Sequence, residues 1–490
     1  MANRAGHNHG TTTRANRELH ELSLDSSRHM PPATDRSQPD YPSNAYAWYV
    51  VVVLTAAYVV SFLDRQILAL LVEPIRIDLG LTDTQMGLIM GSAFALFYTI
   101  LGIPIGWLAD RFSRRGIIAA GITIWCLMTA ACGLSRNFTQ LFLARVGVGV
   151  GEATLNPAAL SLISDYFPRE RRGRAISFYN MGVALGAGIA LIIGSRIIGK
   201  VIDAPPITLP VVGEIYAWQT VFLIVGLPGL VIAALMITVR EPKRHDKLRL
   251  PIDPQAAAGG AINPEVTETL SILDTIRYLR ERWQVYGSHF LGMSVVTCIG
   301  YAFLFWIPTM FIRTWGWDIP TIGLAYGLVN LIAGPIGVNL GGWFADILYR
   351  RGHRDSHMRA CFCFALLFVP CSVLVPLMPG PELAIAMLVP ASVGAGGVTA
   401  TGVAALMMIT PNQLRGQTTA LYYLVINILG LSVGGVAVGA ITDYVFGDGA
   451  ALRYTLAVVA AGAGCAAIGF LWANLAYYRK AIDEAESWSD

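Results

Sequence analysis

Four charged residues stand where the surrounding sequence is hydrocarbon: Asp64 and Arg65 in one long apolar segment, Arg145 and Glu152 in another. Ionisable groups in such surroundings are costly, face a wet interior or a partner, and often mark an ion or substrate path. Asp64 and Arg65 are neighbours, so on a helix they point about 100° apart and at least one needs a partner elsewhere. Arg145 and Glu152 are two helical turns apart and share a face. Depth along the two segments matches Asp64 with Arg145. These two are expected to approach, leaving Arg65 and Glu152 to face a cavity. A carboxylate that loses its guanidinium to an anionic substrate takes up a proton more readily. Asp64 and Glu152 are therefore the candidate proton carriers, and Arg65 and Arg145 the candidates for an anionic head or a charge relay. The alternative is an ion-pair network that only holds helices together. Gly147, Gly149 and Gly151, between the second pair, fit close helix packing.

The elements that must carry these charges follow from composition. Of 490 residues, 54% are hydrophobic and 14% charged, against about 25% charged in soluble chains. The class is an all-α membrane protein. With roughly 20 apolar residues per crossing, twelve spans fall at 48–70, 84–107, 116–135, 139–165, 174–197, 217–239, 284–312, 320–348, 357–378, 382–409, 417–445 and 451–478. Lys and Arg crowd the loops after spans two, four, six, eight and ten, which puts both termini in the cytoplasm and suits a plasma membrane, in a bacterium the inner one. Residues 1–47 are polar and read as a disordered tail with no signal-peptide core. The remaining units are an N-terminal six-helix bundle over 48–239, a linker over 240–283, a C-terminal bundle over 284–479 and a short tail over 480–490. The linker ends in Ser271 to Arg280, apolar and charged at helical spacing, which reads as a helix on the membrane surface.

An internal repeat supports the two bundles. Gly106-Trp107-Leu108-Ala109-Asp110 through Arg114-Arg115-Gly116 recurs 236 positions later as Gly342-Trp343-Phe344-Ala345-Asp346 through Arg350-Arg351-Gly352. Halves repeated in this way are the pattern of transporters that rock about a midplane site. The stretch Gly106, Asp110, Arg111, Arg114, Arg115 resembles the loop 2–3 signature of the major facilitator superfamily, and Arg145 to Glu152 resembles its helix-four signature. Phe62-Leu63-Asp64-Arg65, with Arg145 to Ala153, is similar to the Spinster family within it. The superfamily resemblance covers essentially all of 48–478, and the Spinster resemblance rests on these motifs and the loop pattern. It implies a secondary transporter, not an enzyme, working by alternating access on a lysolipid or sphingolipid-like amphiphile.

The second half supplies a contrasting wall. The repeat maps Asp64 onto uncharged Gly300, beside Tyr301, Phe303, Phe305 and Trp306. One charged and one aromatic wall suit an anionic head with an apolar tail. Tyr301, Phe305 and Trp306 are the expected cavity residues, and His289 a packing or gate residue. Asp110 is expected to pair with Arg114 four residues on and, with Gly106, Arg111 and Asp346, to latch the halves. Ile347 stands where the first signature has Arg111. Seven cysteines in apolar segments have no metal-ligand spacing, so neither metal nor cofactor is expected. Expected partners are a small amphiphilic or anionic substrate, protons and lipid, with no nucleic acid, and the working unit a monomer. No Gly-rich ATPase loop occurs. The alternatives are proton symport of a small organic anion such as a sugar acid, with Asn330, Asn339 and Asn427 as polar groups, or an uncoupled lipid facilitator or scramblase.

Overall fold

The computed structural model describes residues 41–209, 213–242 and 272–486. Among the described residues, twelve helices are long and apolar enough to cross a membrane. They are α1 Asn44–Leu70, α2 Asp83–Arg111, α3 Arg114–Cys132, α4 Phe138–Tyr166, α5 Glu170–Val201, α6 Ala217–Thr238, α7 Trp283–Trp315, α8 Ile319–Arg350, α9 Ser356–Leu377, α10 Pro381–Met408, α11 Arg415–Phe446 and α12 Gly449–Ala485. The first span starts at Asn44 rather than 48, and the last runs on to Ala485 rather than ending at 478. Most of the expected tail and of the 240–283 linker lies outside the described residues. The linker's last part is a helix, Ile272–Glu281. A two-stranded antiparallel hairpin, β1 Ile207–Leu209 and β2 Gly213–Ile215, separates α5 from α6.

Short polar residues fix several helix starts. Thr82 and Gln85 exchange side-chain and backbone hydrogen bonds at the head of α2. Ser113, Asn137 and Asp318 each accept a backbone N–H in the first turn of α3, α4 and α8; each satisfies a donor that the helix itself leaves open.

The chain folds as two six-helix bundles. In the first, α1 packs on α5 and α3 on α4; in the second, α7 packs on α12 and α8 and α9 on α10. The bundles meet along α2–α11 and α5–α8. The end where α1 begins and α12 finishes is the near end, and the opposite one the far end. Contacts between the bundles crowd toward the far end. There a Cβ on Gly87 would lie 2.5 Å from the Gly435 carbonyl oxygen, and one on Gly188 would lie 2.7 Å from that of Gly327. Only glycine allows these approaches. Toward the near end, a Cβ on Gly102, Gly173, Gly342 or Gly416 would meet nothing. The bundles are closed at the far end and apart at the near end.

Each bundle is tied internally at its near end by a charged node, and the two nodes have opposite polarity. In the first, buried Arg114 donates to Asp165, and its Nε donates to Glu241 at 2.8 Å. In the second, the central charge is Asp355, 3% exposed, which accepts from Arg359 and Arg479 at 2.7 Å each. Burial pushes the Asp355 carboxyl up, but those two hydrogen bonds outweigh it and hold the group below the ordinary carboxylate range. The depressed carboxyl stabilises the fold above the unfolded value of about 3.9 and ceases to do so as pH falls through its folded value. Both arginines are partly solvated, so Asp355→Asn should cost about 1 kcal/mol at pH 7. Thermal melting in detergent checks this: the gap to the wild type should narrow below about pH 4, and a gap constant with pH would deny the node its electrostatic role.

Candidate functional site: a buried charge set beside an aromatic cavity

The hydrogen-bond ladder of α4 loosens at the site. Pro157 has no N–H to give the carbonyl of Ala153, and Ala153 and Thr154 keep helical dihedrals while the Thr154 N–H turns to Gly151. Glu152, directly before this turn, is 2% exposed in the bundle interior. Its Oε2 accepts from Arg65 through Nε at 2.8 Å and Nη2 at 2.5 Å, and from Ser61 Oγ at 3.0 Å. The Arg65 guanidinium is also boxed by rings, with Cζ 4.3 Å from the Phe94 centroid, 5.1 Å from Tyr98 and 5.2 Å from Phe62, an arrangement that favours a cation with little water around it.

Asp64 lies one residue and about 100° away, fully buried. Its Oδ2 accepts from Thr129 of α3 at 3.1 Å, while Oδ1 has no hydrogen-bond partner among the described residues. Arg145, 1% exposed, reaches the Asp64 backbone carbonyl through Nη1 at 3.4 Å. The approach of Arg145 to residue 64 therefore occurs, but on the main chain, with no carboxylate ion pair between them. The expectation that Arg65 and Glu152 both face the cavity is corrected. They pair with each other, and only Arg65 reaches the cavity wall. The reason is the rotation between adjacent residues, which turns Arg65 toward α4 and Asp64 toward α3.

The cavity lies where the bundles meet. Phe62, Arg65, Gln66, Met90, Phe94 and Arg145 line it from the first bundle, and Tyr301, Leu304, Phe305 and Leu431 from the second. Met90 and Leu431 sit in π-helical turns, Leu88–Ser92 of α2 and Asn427–Leu431 of α11. Such single wide turns recur at functional sites. The Tyr301 and Phe305 rings lie tilted against each other with centroids 5.7 Å apart. Trp306 does not line the cavity: its ring is buried and Nε1 donates to the Gly435 carbonyl at 2.9 Å, clamping α7 to α11. His289 is buried in the second bundle, its ring beside Tyr422.

A polar cluster absent from the sequence reading lies one to two turns nearer the near end. Asn156 donates to the Tyr58 and Tyr98 hydroxyls at 3.0 and 3.2 Å and accepts from Tyr179 at 2.8 Å. Its signal in the sequence is a lone Asn before Pro157 in a largely apolar span.

A family model described as Major Facilitator Superfamily matches residues 54–435. The chain belongs to that superfamily. Its relatives include an MFS-type efflux pump of Mycolicibacterium smegmatis, 27% identical over 92% of this chain and 98% of the relative. A probable galactarate/D-glucarate transporter of Bacillus subtilis is 26% identical over 86% of this chain and 91% of its own. A bacterial homologue of the human lysosomal transporter Spinster, solved in an inward-facing, unoccupied conformation, is 26% identical with a TM-score of 0.72, covering 90% of this chain and 98% of that one. The superfamily fold is that of membrane transporters, and the chain is not an enzyme.

The loop signature behaves differently from expectation. Asp110 is exposed and does not pair with Arg114, which turns into its own bundle toward Asp165 and Glu241. Arg111 stacks on Trp107 with Cζ 3.9 Å from the ring, a Cβ on Gly106 would meet only the Pro157 side chain at 3.9 Å, and Asp346 is exposed. The charged lock between the bundles is instead at the far end. Arg313 of α7 binds both Asp83 carboxylate oxygens at 2.6 and 2.7 Å and Glu73 at 2.6 Å. Asp443 of α11 accepts the Asp83 and Thr84 N–H groups at 3.2 and 2.6 Å, capping α2 across the interface. Arg313→Gln should weaken far-end closure by about 1.5–3 kcal/mol. Labelling of Leu304→Cys by a membrane-impermeant thiol reagent from the far side, with Cys363 and Cys465 replaced, should then rise at least about tenfold. Unchanged labelling would mean that the glycine contacts alone hold the closure.

Proposed function

We propose that the protein is a proton-coupled secondary transporter of an anionic amphiphile, lysolipid or sphingolipid-like, working by alternating access. Both termini then lie in the cytoplasm of a plasma or bacterial inner membrane, and the cavity here faces inward. The reading rests on one observation above all: Arg65, paired behind the wall with buried Glu152, stands in one side of a cavity whose other side is Tyr301, Leu304, Phe305 and Leu431. An anionic head drawing on Arg65 loosens its hold on Glu152, which then accepts a proton. Asp64, held on one oxygen by Thr129, serves as the second carrier, and Arg145 steadies the charge between them. The apolar wall takes the tail. Phosphate and carboxylate both match the planar guanidinium fork. The latch read from Gly106, Asp110, Arg111, Arg114 and Asp346 would engage only in the opposite access state.

A second reading, proton symport of a sugar acid, draws support from the galactarate/D-glucarate relative and from the Asn156–Tyr58–Tyr98 hydroxyls, which could meet a polyol. Against it, Asn330 and Asn339 spend their amides on carbonyls of their own helix, which leaves Asn427 of the three candidates. Uptake into proteoliposomes from a mixed panel of lysolipids and sugar acids, with and without a pH gradient, separates the readings. Amphiphile uptake should depend on the gradient, and Asp64→Asn and Glu152→Gln should each abolish that dependence while leaving substrate binding within about tenfold. Gradient-independent uptake by the wild type would leave a facilitator, and preference for the sugar acid would favour the second reading.

A further inference from the structure

The Ile272–Glu281 helix runs into α7, whose first residue, Trp283, is 65% exposed. That junction holds it at the level where a membrane span leaves hydrocarbon. One face packs on the second bundle: Thr275 Oγ1 hydrogen-bonds Gln417 of α11 at 2.5 Å, and the Tyr278 ring meets Tyr286 of α7 with centroids 5.9 Å apart. Arg282, just past the helix, pairs with Glu484 of α12 at 3.7 Å.

The outward faces are sorted by chemistry. At 100° per residue, Ile272, Ile276 and Leu273 form one exposed apolar quadrant, Leu273 being 71% exposed. Arg280 continues the same face one turn past Ile276, Arg277 falls at its edge, and Glu281 and Asp274 lie beyond Arg277 on the side turned from the apolar quadrant. Apolar side chains bordered by arginines, with acids farthest away, describe a helix half sunk in an anionic headgroup layer. The arginine stems can lie along acyl chain while their heads meet phosphates.

We infer that Ile272–Glu281 is a binding surface for anionic lipid headgroups, seated on the bilayer through Ile272, Leu273 and Ile276 and selecting charge through Arg277 and Arg280. Because its inner face is fastened to α11, the leaflet's charge reaches the bundle that forms the aromatic wall of the cavity. The inference is independent of which substrate is carried.

Hydrogen–deuterium exchange of the full chain in vesicles tests it. In phosphatidylcholine containing a third phosphatidylglycerol, amides of 272–281 should exchange roughly ten- to thirty-fold more slowly than in phosphatidylcholine alone, the effect of two arginines near a charged surface. The exposed-site variant R277Q/R280Q should erase that difference, while exchange across α12 stays as in the wild type and reports an intact fold. Inorganic phosphate added to phosphatidylcholine vesicles should change nothing. The proposal is overturned if exchange is equal in the two vesicles, if the difference survives in R277Q/R280Q, or if free phosphate alone reproduces it.

Discussion

An ionisable side chain cannot be taken out of water without a compensating partner, and this molecule gathers four of them in the interior of its first bundle. Asp64, Arg145 and Glu152 are each no more than 2% exposed, and Arg65 is enclosed by three aromatic rings. Two carboxylates and two guanidiniums balance in formal charge, which makes the set tolerable as a unit and intolerable in parts. The surrounding architecture serves that balance. Ser61 and two Arg65 nitrogens converge on one Glu152 oxygen, and Thr129 reaches Asp64 from α3. One oxygen of each carboxylate has no hydrogen-bond partner among the described residues, so each retains a position at which a proton could sit.

The second constraint is that the two bundles must separate at one end without losing their own shape. The near-end nodes, Arg114 with Asp165 and Glu241, and Asp355 with Arg359 and Arg479, each lie within a single bundle. The far-end contacts, Arg313 with Glu73 and Asp83, and Asp443 on the head of α2, run between bundles. Polar bonds inside a body keep it rigid; polar bonds across a glycine-lined seam can be exchanged for water when the seam opens. This distribution suits rigid-body rocking of one half against the other. The charged residues stand on the first half and the apolar cavity wall on the second, so the seam also divides the two kinds of chemistry.

Much of the fold was legible because membrane spans carry an unusually strong signal: length and hydropathy placed twelve helices with ends shifted by at most seven residues. The nearness of residue 145 to residue 64 was legible too, since position along a span gives depth. Which charge would pair with which was not, because that depends on helix rotation, and a turn of 100° exchanges Asp64 for Arg65. Arg114 was misassigned for a related reason: its spacing from Asp110 allows a local pair, but Asp165 and Glu241 come from distant parts of the chain. Trp306 counted as cavity lining because its aromatic neighbours are, yet its indole N–H needs an acceptor and finds the Gly435 carbonyl. Arg313 carried no signal beyond being a charge at a span's end, since its carboxylate partners lie more than two hundred residues away.

The central claim is that an anionic substrate and a proton exchange places at the Arg65–Glu152 pair. Proton uptake measured directly on binding, with a pH indicator in weakly buffered detergent solution, tests it without any transport step. Saturating the purified protein with a lysolipid bearing one phosphate should withdraw protons from solution in the wild type and withdraw fewer in Glu152→Gln that still binds. Binding without proton uptake, or equal uptake in Glu152→Gln, would contradict the account.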